Sequence, residues 1–191
     1  MAVAVRRQRR RRALGIVVSL AALTGIGADV AASTPRHLAP GSDERAAVHA
    51  PTWVRYPAAP FTRPAGELCG FPLRSEPVFD QVYARTTATF ADGSLRRQEF
   101  SGPLVVRLTN TTTGRSTETD LSGYAAARYR PDGSYDLDIW GPAAVGFGPG
   151  DSLPRGYYRL SGHHRIRFAT DGTRRILVDQ GPEENLCHVL T

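Results

Sequence analysis

Several residue types and motifs are scarce or missing in this chain, and the small number of cysteines limits the kinds of site that it can form. The 191 residues contain no lysine, a single methionine at position 1 and two cysteines. Two distant cysteines offer too few ligands for a thiolate metal centre. The sequence also lacks a glycine-rich phosphate loop and a nucleotide-binding fingerprint, so no cofactor site is expected.

The positive charge is concentrated at the N-terminus. The formal net charge is +6, but residues 1–33 hold six arginines and one acidic residue, which leaves +5 in that segment. From residue 67 onward, 14 arginines are balanced by 15 acidic residues. This balance gives no electrostatic argument for a nucleic acid or another polyanion as a partner.

Residues 1–32 have the pattern of a secretory signal peptide. Arginines precede an apolar run over residues 13–28, and small residues follow as far as Ala32. The run is shorter than the ~20 residues that cross a bilayer, which disfavours a permanent anchor. We expect export by the Sec or the Tat route, cleavage near Ala32, and a secreted protein without a membrane span.

The next segment differs in composition. Residues 33–66 are rich in proline, which fixes φ and removes backbone hydrogen-bond donors. This composition predicts a disordered linker and places the folded domain at residues 67–191.

The two cysteines lie near the ends of that domain. In an oxidising exterior, Cys69 and Cys187 are expected to form one disulfide. The chain-entropy model assigns about 4.7 kcal/mol to a loop of ~100 residues, so the bridge would contribute much of the stability of a small domain.

Short strands dominate the prediction for the domain. The pairs Asp92-Gly93, Asp132-Gly133 and Asp171-Gly172 are typical of tight hairpin turns, and apolar residues alternate with polar ones between them. We predict an all-β fold, an antiparallel meander barrel of about eight strands, with a β-sandwich as the alternative.

Two carboxylates share one strand face. In residues 135–139, Asp136 and Asp138 lie opposite Tyr135, Leu137 and Ile139. Paired carboxylates can perform acid–base chemistry. On the polar face of a strand, however, we expect them to be solvated charges.

The histidines suggest no metal site. His163 and His164 are adjacent on a predicted strand and therefore point to opposite faces, so they cannot bind one ion together. His188 is near Glu183 and Glu184 in sequence, but their relative geometry is not fixed by the spacing. No metal is expected.

One catalytic motif occurs. Residues 150–153 spell Gly-Asp-Ser-Leu, the nucleophile motif of the GDSL esterases. The Asp-x-x-His block that follows in that family is missing after Ser152. A turn is the favoured interpretation, and no catalytic residue is assigned.

The domain resembles a group of small secreted actinobacterial proteins that carry one cysteine at each end of a β-rich domain. The resemblance covers about residues 67–191 and depends on short segments: residues 69–73, 104–110, 147–151, 168–172 and 185–187. The group has no assigned activity, so the resemblance implies location and architecture only.

These observations together predict a secreted, non-enzymatic β-domain. A closed barrel could enclose a small apolar ligand, and the domain could instead bind a partner at the cell exterior. The alternative is an enzyme, either a secreted hydrolase that uses Ser152 or a barrel isomerase.

Overall fold

The computed structural model describes residues 51–191 as fourteen strands and one short helix. In chain order, β1 to β14 span Val54–Arg55, Phe61–Arg63, Leu73–Asp80, Tyr83–Thr89, Leu95–Ser101, Leu104–Asn110, Ser116–Asp120, Tyr124–Tyr129, Tyr135–Trp140, Ala143–Phe147, Gly156–Leu160, His163–Phe168, Arg174–Gln180 and Glu183–Asn185, and α1 spans Leu186–Val189. Within residues 51–191, no helix has the length and apolar character needed to cross a membrane.

The three predicted Asp-Gly turns are confirmed. They join β4 to β5, β8 to β9 and β12 to β13, with the glycines at φ between 83° and 88°. In each turn the aspartate side chain accepts a hydrogen bond from the backbone N–H two residues later. The turn chemistry visible in the sequence therefore fixes these hairpins.

A second set of glycines folds the strands at sharp corners. Six pairs of consecutive strands, from β3 and β4 to β13 and β14, are separated by only two or three residues. At the corner between β13 and β14, Gly181 has a φ of 147°, and a Cβ there would lie 1.8 Å from the Ser161 carbonyl oxygen. Only glycine fits where two backbones approach so closely.

These corners distribute the strands over three antiparallel sheets. The largest has the order β1-β4-β5-β8-β9-β12-β13, a second has β2-β3-β6-β7 and the smallest has β10-β11-β14. The predicted all-β antiparallel fold is confirmed. This pairing does not decide between barrel and sandwich. It closes no ring of strands among residues 51–191, but corners of two or three residues join strands of neighbouring sheets.

Two apolar cores hold the sheets together. One lies between the seven-stranded and the three-stranded sheet, and Ile139, Phe147 and Ile166 are completely buried in it. The other contains Leu108 and the predicted disulfide between Cys69 and Cys187, whose Cα atoms are 5.5 Å apart. The bridge closes a separation of 118 residues and attaches α1 to the start of the domain.

Part of the predicted linker belongs to the sheets. β1 pairs with β4 and β2 pairs with β3, so the linker prediction is wrong for residues 54–63. Prolines flank these two strands and do not interrupt them, since each strand is only two or three residues long. The predicted signal peptide at residues 1–32 and the linker residues 33–50 lie outside the described part of the chain.

Candidate functional site

One face of the seven-stranded sheet carries charged side chains in ordered rows. The strand register places one row on Arg85, Glu99, Asp138 and Arg165 and a second row on Arg97, Arg128, Asp136 and Arg167. We call this surface the arginine face. Since neighbouring strands are ~4.8 Å apart, the first row crosses five strands and extends for roughly 20 Å, and the second crosses four and extends for roughly 15 Å.

Asp138 is the most deeply buried charge of this face. Its side chain is 0% exposed, and two arginines from neighbouring strands enclose it. Arg165 Nε donates a hydrogen bond to Oδ1 at 2.6 Å, and Arg128 Nη2 lies 2.8 Å from Oδ2. The cations compensate for the loss of water around the carboxylate.

Asp136 is held in the same way. Arg167 donates to both of its oxygens, from Nε at 2.8 Å and from Nη2 at 3.1 Å, and Arg130 contacts Oδ2. The hydrogen bonds from Arg167 lower the pKa of Asp136 to about 2 from its ordinary value of 3.8. The carboxyl is therefore ionised at every physiological pH.

Glu99 completes the set. Its side chain is 7% exposed and lies between Arg85 at 2.7 Å and Arg97 at 3.0 Å. Burial raises the pKa of Glu99, but the hydrogen bond and charge of Arg85 outweigh burial, so the pKa is lower than its ordinary value. On the outer side, Trp53 lies against Arg85, with the guanidinium 4.6 Å from the ring centroid.

The three groups share one stoichiometry. Each buried carboxylate has two arginine partners. We call each such group of one carboxylate and two arginines a trio, and each trio carries one excess positive charge. The six guanidinium side chains remain between 32% and 44% exposed. An arginine has five N–H donors, which is more than one carboxylate partner uses.

This arrangement corrects the expectation for Asp136 and Asp138. Both were expected to be solvated, yet both are buried. The alternation of the strand correctly indicated their face, but long arginine side chains from β8 and β12 cover that face and exclude water.

An aromatic row borders the arginine face at the corner end of the sheet. The register aligns Tyr83, Ser101, Tyr124, Trp140 and His163 across the strands. The Trp140 and His163 rings are stacked, with centroids 4.9 Å apart, and the Trp140 side chain remains 40% exposed. Cationic and flat aromatic surfaces therefore adjoin.

Ser152 is part of a structural clasp. Its Oγ accepts a hydrogen bond from the Ile176 N–H at 2.9 Å. The neighbouring Asp151 accepts from the N–H groups of Gly148 and Arg174, and the Arg174 guanidinium lies 3.2 Å from its Oδ2. The Gly-Asp-Ser-Leu segment therefore connects the loop before β11 to β13 through hydrogen bonds, which is a structural role.

The shallow groove beside β7 does not fit the predicted small apolar ligand. It has a volume of about 220 Å³ and is lined mainly by polar side chains, among them Glu118, Asp120, Arg159 and Glu184. Arg159 Nε donates to the Asp120 carbonyl oxygen at 3.1 Å across it.

The two adjacent histidines lie on opposite faces, as predicted. His163 belongs to the aromatic row, and His164 is completely buried beneath the other face.

Comparison of the chain with protein-family models, with curated proteins and with solved structures finds no match.

Proposed function

We propose that the protein is a secreted, non-enzymatic binding module whose arginine face binds an extended anionic polymer at the cell exterior. The observation that carries this proposal is the two-to-one pairing of arginines with buried carboxylates. Because every trio keeps an excess positive charge, the face attracts anions although the domain as a whole is close to neutral.

The net charge of the sequence concealed this property. Acidic residues outside the face, such as Glu118 and Asp120 on β7, offset the arginines in the total. A partner responds to the local field, which decays over about 10 Å at ordinary ionic strength.

The pairing also prepares the arginines for binding. The carboxylates hold the guanidinium groups in place, so less side-chain entropy is lost when a ligand binds. Arginine forms bidentate hydrogen bonds with planar carboxylates and with phosphates or sulfates, and lysine does not. The neighbouring Trp140 and His163 rings offer a flat surface for sugar rings, which favours an acidic polysaccharide.

Export is part of the proposal. The signal-peptide pattern over residues 1–32 and the disulfide between Cys69 and Cys187 both support an oxidising exterior. The intact mass of the protein recovered from its own culture medium tests this part, with loss of about the first 32 residues expected. A protein that keeps those residues and stays inside the cell would contradict it.

The binding experiment measures the affinity of the secreted protein for polygalacturonate, a carboxylate polysaccharide, and for polyphosphate. We expect saturable binding that weakens as salt rises, and a loss of about tenfold or more in the Arg97→Gln/Arg128→Gln variant. Arg107→Gln is the matched control, because Arg107 forms an exposed one-to-one pair with Glu118 on another sheet.

The outcomes separate the alternatives. Tighter binding of polygalacturonate supports a glycan ligand, and tighter binding of polyphosphate supports a phosphate polymer on the same face. Equal affinity of wild type and the double variant, or no saturable binding of either polymer, would overturn the proposal.

A further inference from the structure

A second cluster of ionisable side chains lies where β12, β13 and β14 meet at a corner. His164 on β12 is directly opposite Asp179 on β13. The chain then turns through Gly181 and Pro182, and Glu183 is the first residue of β14. The corner thus returns Glu183 to a position beside the other two side chains.

The histidine of this cluster is unusual because it is buried without a hydrogen bond. His164 is 0% exposed, and neither ring nitrogen has a hydrogen-bond partner within residues 51–191. Its Nε2 nevertheless lies 3.2 Å from Asp179 Oδ1. Burying a polar group without a partner is costly, so such a group calls for a physical explanation.

One distance within this cluster matches the separation of two ligands of a metal ion. One donor atom from each of His164, Asp179 and Glu183 lies within 4.8 Å of the other two. Zinc binds histidine nitrogen and carboxylate oxygen at about 2.0–2.2 Å, which gives a separation of roughly 3.3 Å between ligand atoms in a tetrahedron. The distance of 3.2 Å between Nε2 and Oδ1 is close to that value.

Asp179 and Glu183 differ from the carboxylates of the arginine face, which are compensated by arginines. Within residues 51–191, no arginine forms an ion pair with Asp179 or Glu183. Burial, together with the negative charge of Asp179, raises the pKa of Glu183. The Asp179 side chain is 57% exposed, so an ion can reach the cluster from solvent.

We infer that His164, Asp179 and Glu183 form a binding site for one divalent transition-metal ion of the zinc class. The ion accepts the His164 lone pair, neutralises both carboxylates and leaves one coordination position open to solvent. Its binding ties β14 to β12 and β13 across the corner. The site is independent of the arginine face, since His164 points to the opposite side of the sheet from His163.

The test titrates ZnCl₂ into the tag-free secreted protein, with calorimetry as the readout. We expect saturable binding of one Zn²⁺ per chain. The substitutions Asp179→Asn and Glu183→Gln should each weaken binding at least about tenfold. His188→Asn is the matched control, because His188 is an exposed histidine of α1 and should leave binding unchanged.

A spectroscopic readout locates the ion. Among the histidine ring signals in NMR, those of His164 should shift most on addition of Zn²⁺. His164→Asn should abolish binding, and the two carboxylate variants decide the question if that protein does not fold. Absence of saturable Zn²⁺ binding, unchanged affinity in both carboxylate variants, or equal affinity for Mg²⁺ and Ca²⁺ would overturn the inference.

Discussion

The two faces of the seven-stranded sheet treat carboxylates in opposite ways. On the arginine face, Asp136 and Asp138 are buried and each has two guanidinium partners. On the other face, Asp179 lies beside the buried His164, and Glu183 reaches both residues from β14 of the three-stranded sheet. Neither carboxylate has an arginine partner in the described residues. Hydrogen bonds from Arg167 lower the pKa of Asp136, whereas burial and the negative charge of Asp179 raise the pKa of Glu183.

The difference shows that the two carboxylate groups suit different ligands. A compensated carboxylate acts as a support, because it orients arginines that can bind an anion. An uncompensated pair with a histidine lone pair attracts a cation. The same sheet therefore offers opposite charge preferences on its two sides, and three changes can break or sharpen this contrast.

The largest effect is expected from removing both partners of Asp138. In Arg128→Met/Arg165→Met the fully buried carboxylate keeps only the His163 imidazole, at 3.5 Å. A buried charge without compensation costs about 3–5 kcal/mol, so the free energy of unfolding in urea should fall by that amount. Arg107→Gln, in an exposed pair, should cost less than about 1 kcal/mol.

A third substitution separates charge from packing. Adding Asp138→Leu to the double variant removes the uncompensated carboxylate, and most of the lost stability should return. Anion binding should not return with it. If the triple variant is as unstable as the double one, the arginines contribute through packing of their apolar stems and not through charge.

The hairpins and the disulfide could be predicted from sequence because they depend on local chemistry or on cysteine number. The charge trios could not. Alternation identifies the face of Asp138, but only the strand register shows that Arg128 and Arg165 flank it. The cluster of His164 and Glu183 was missed for a similar reason, since a glycine corner brings them together across 19 positions of chain.

A smaller loss of stability is expected in acid, where Asp136 becomes protonated. The folded-state pKa of Asp136 is about 2 and its ordinary value is 3.8, so its contribution to stability is complete above pH ~4 and is lost as the pH falls through 2. This loss amounts to roughly 2 kcal/mol. Urea unfolding at pH 4, 3 and 2 should show it in the wild type.

The variant Asp136→Asn should be less stable at pH 7 and should lose this part of the acid dependence. Asp92→Asn serves as the comparison, because Asp92 is an exposed turn residue whose pKa is lowered by hydrogen bonds from Ser94 and not by arginine. That variant should lose only the acid dependence that Asp92 itself contributes and should keep the part that Asp136 contributes. Equal slopes in Asp136→Asn and wild type would show that the arginine pairing does not control the pH response.

The smallest expected effect is an increase in the free energy of unfolding, and it comes from a substitution in the cluster of His164, Asp179 and Glu183. Glu183→Gln keeps the side-chain shape and removes a negative charge that burial and Asp179 both disfavour. With EDTA present at pH 7, the free energy of unfolding should rise by about 0.5 kcal/mol, the scale of a like-charge pair in a sheet. The same variant should lose the stabilisation that Zn²⁺ gives to the wild type, which follows from preferential binding to the folded state. If the free energy of unfolding of Glu183→Gln instead falls with EDTA present, the charge of Glu183 is already compensated in the wild type. The contrast between the two faces would then no longer hold.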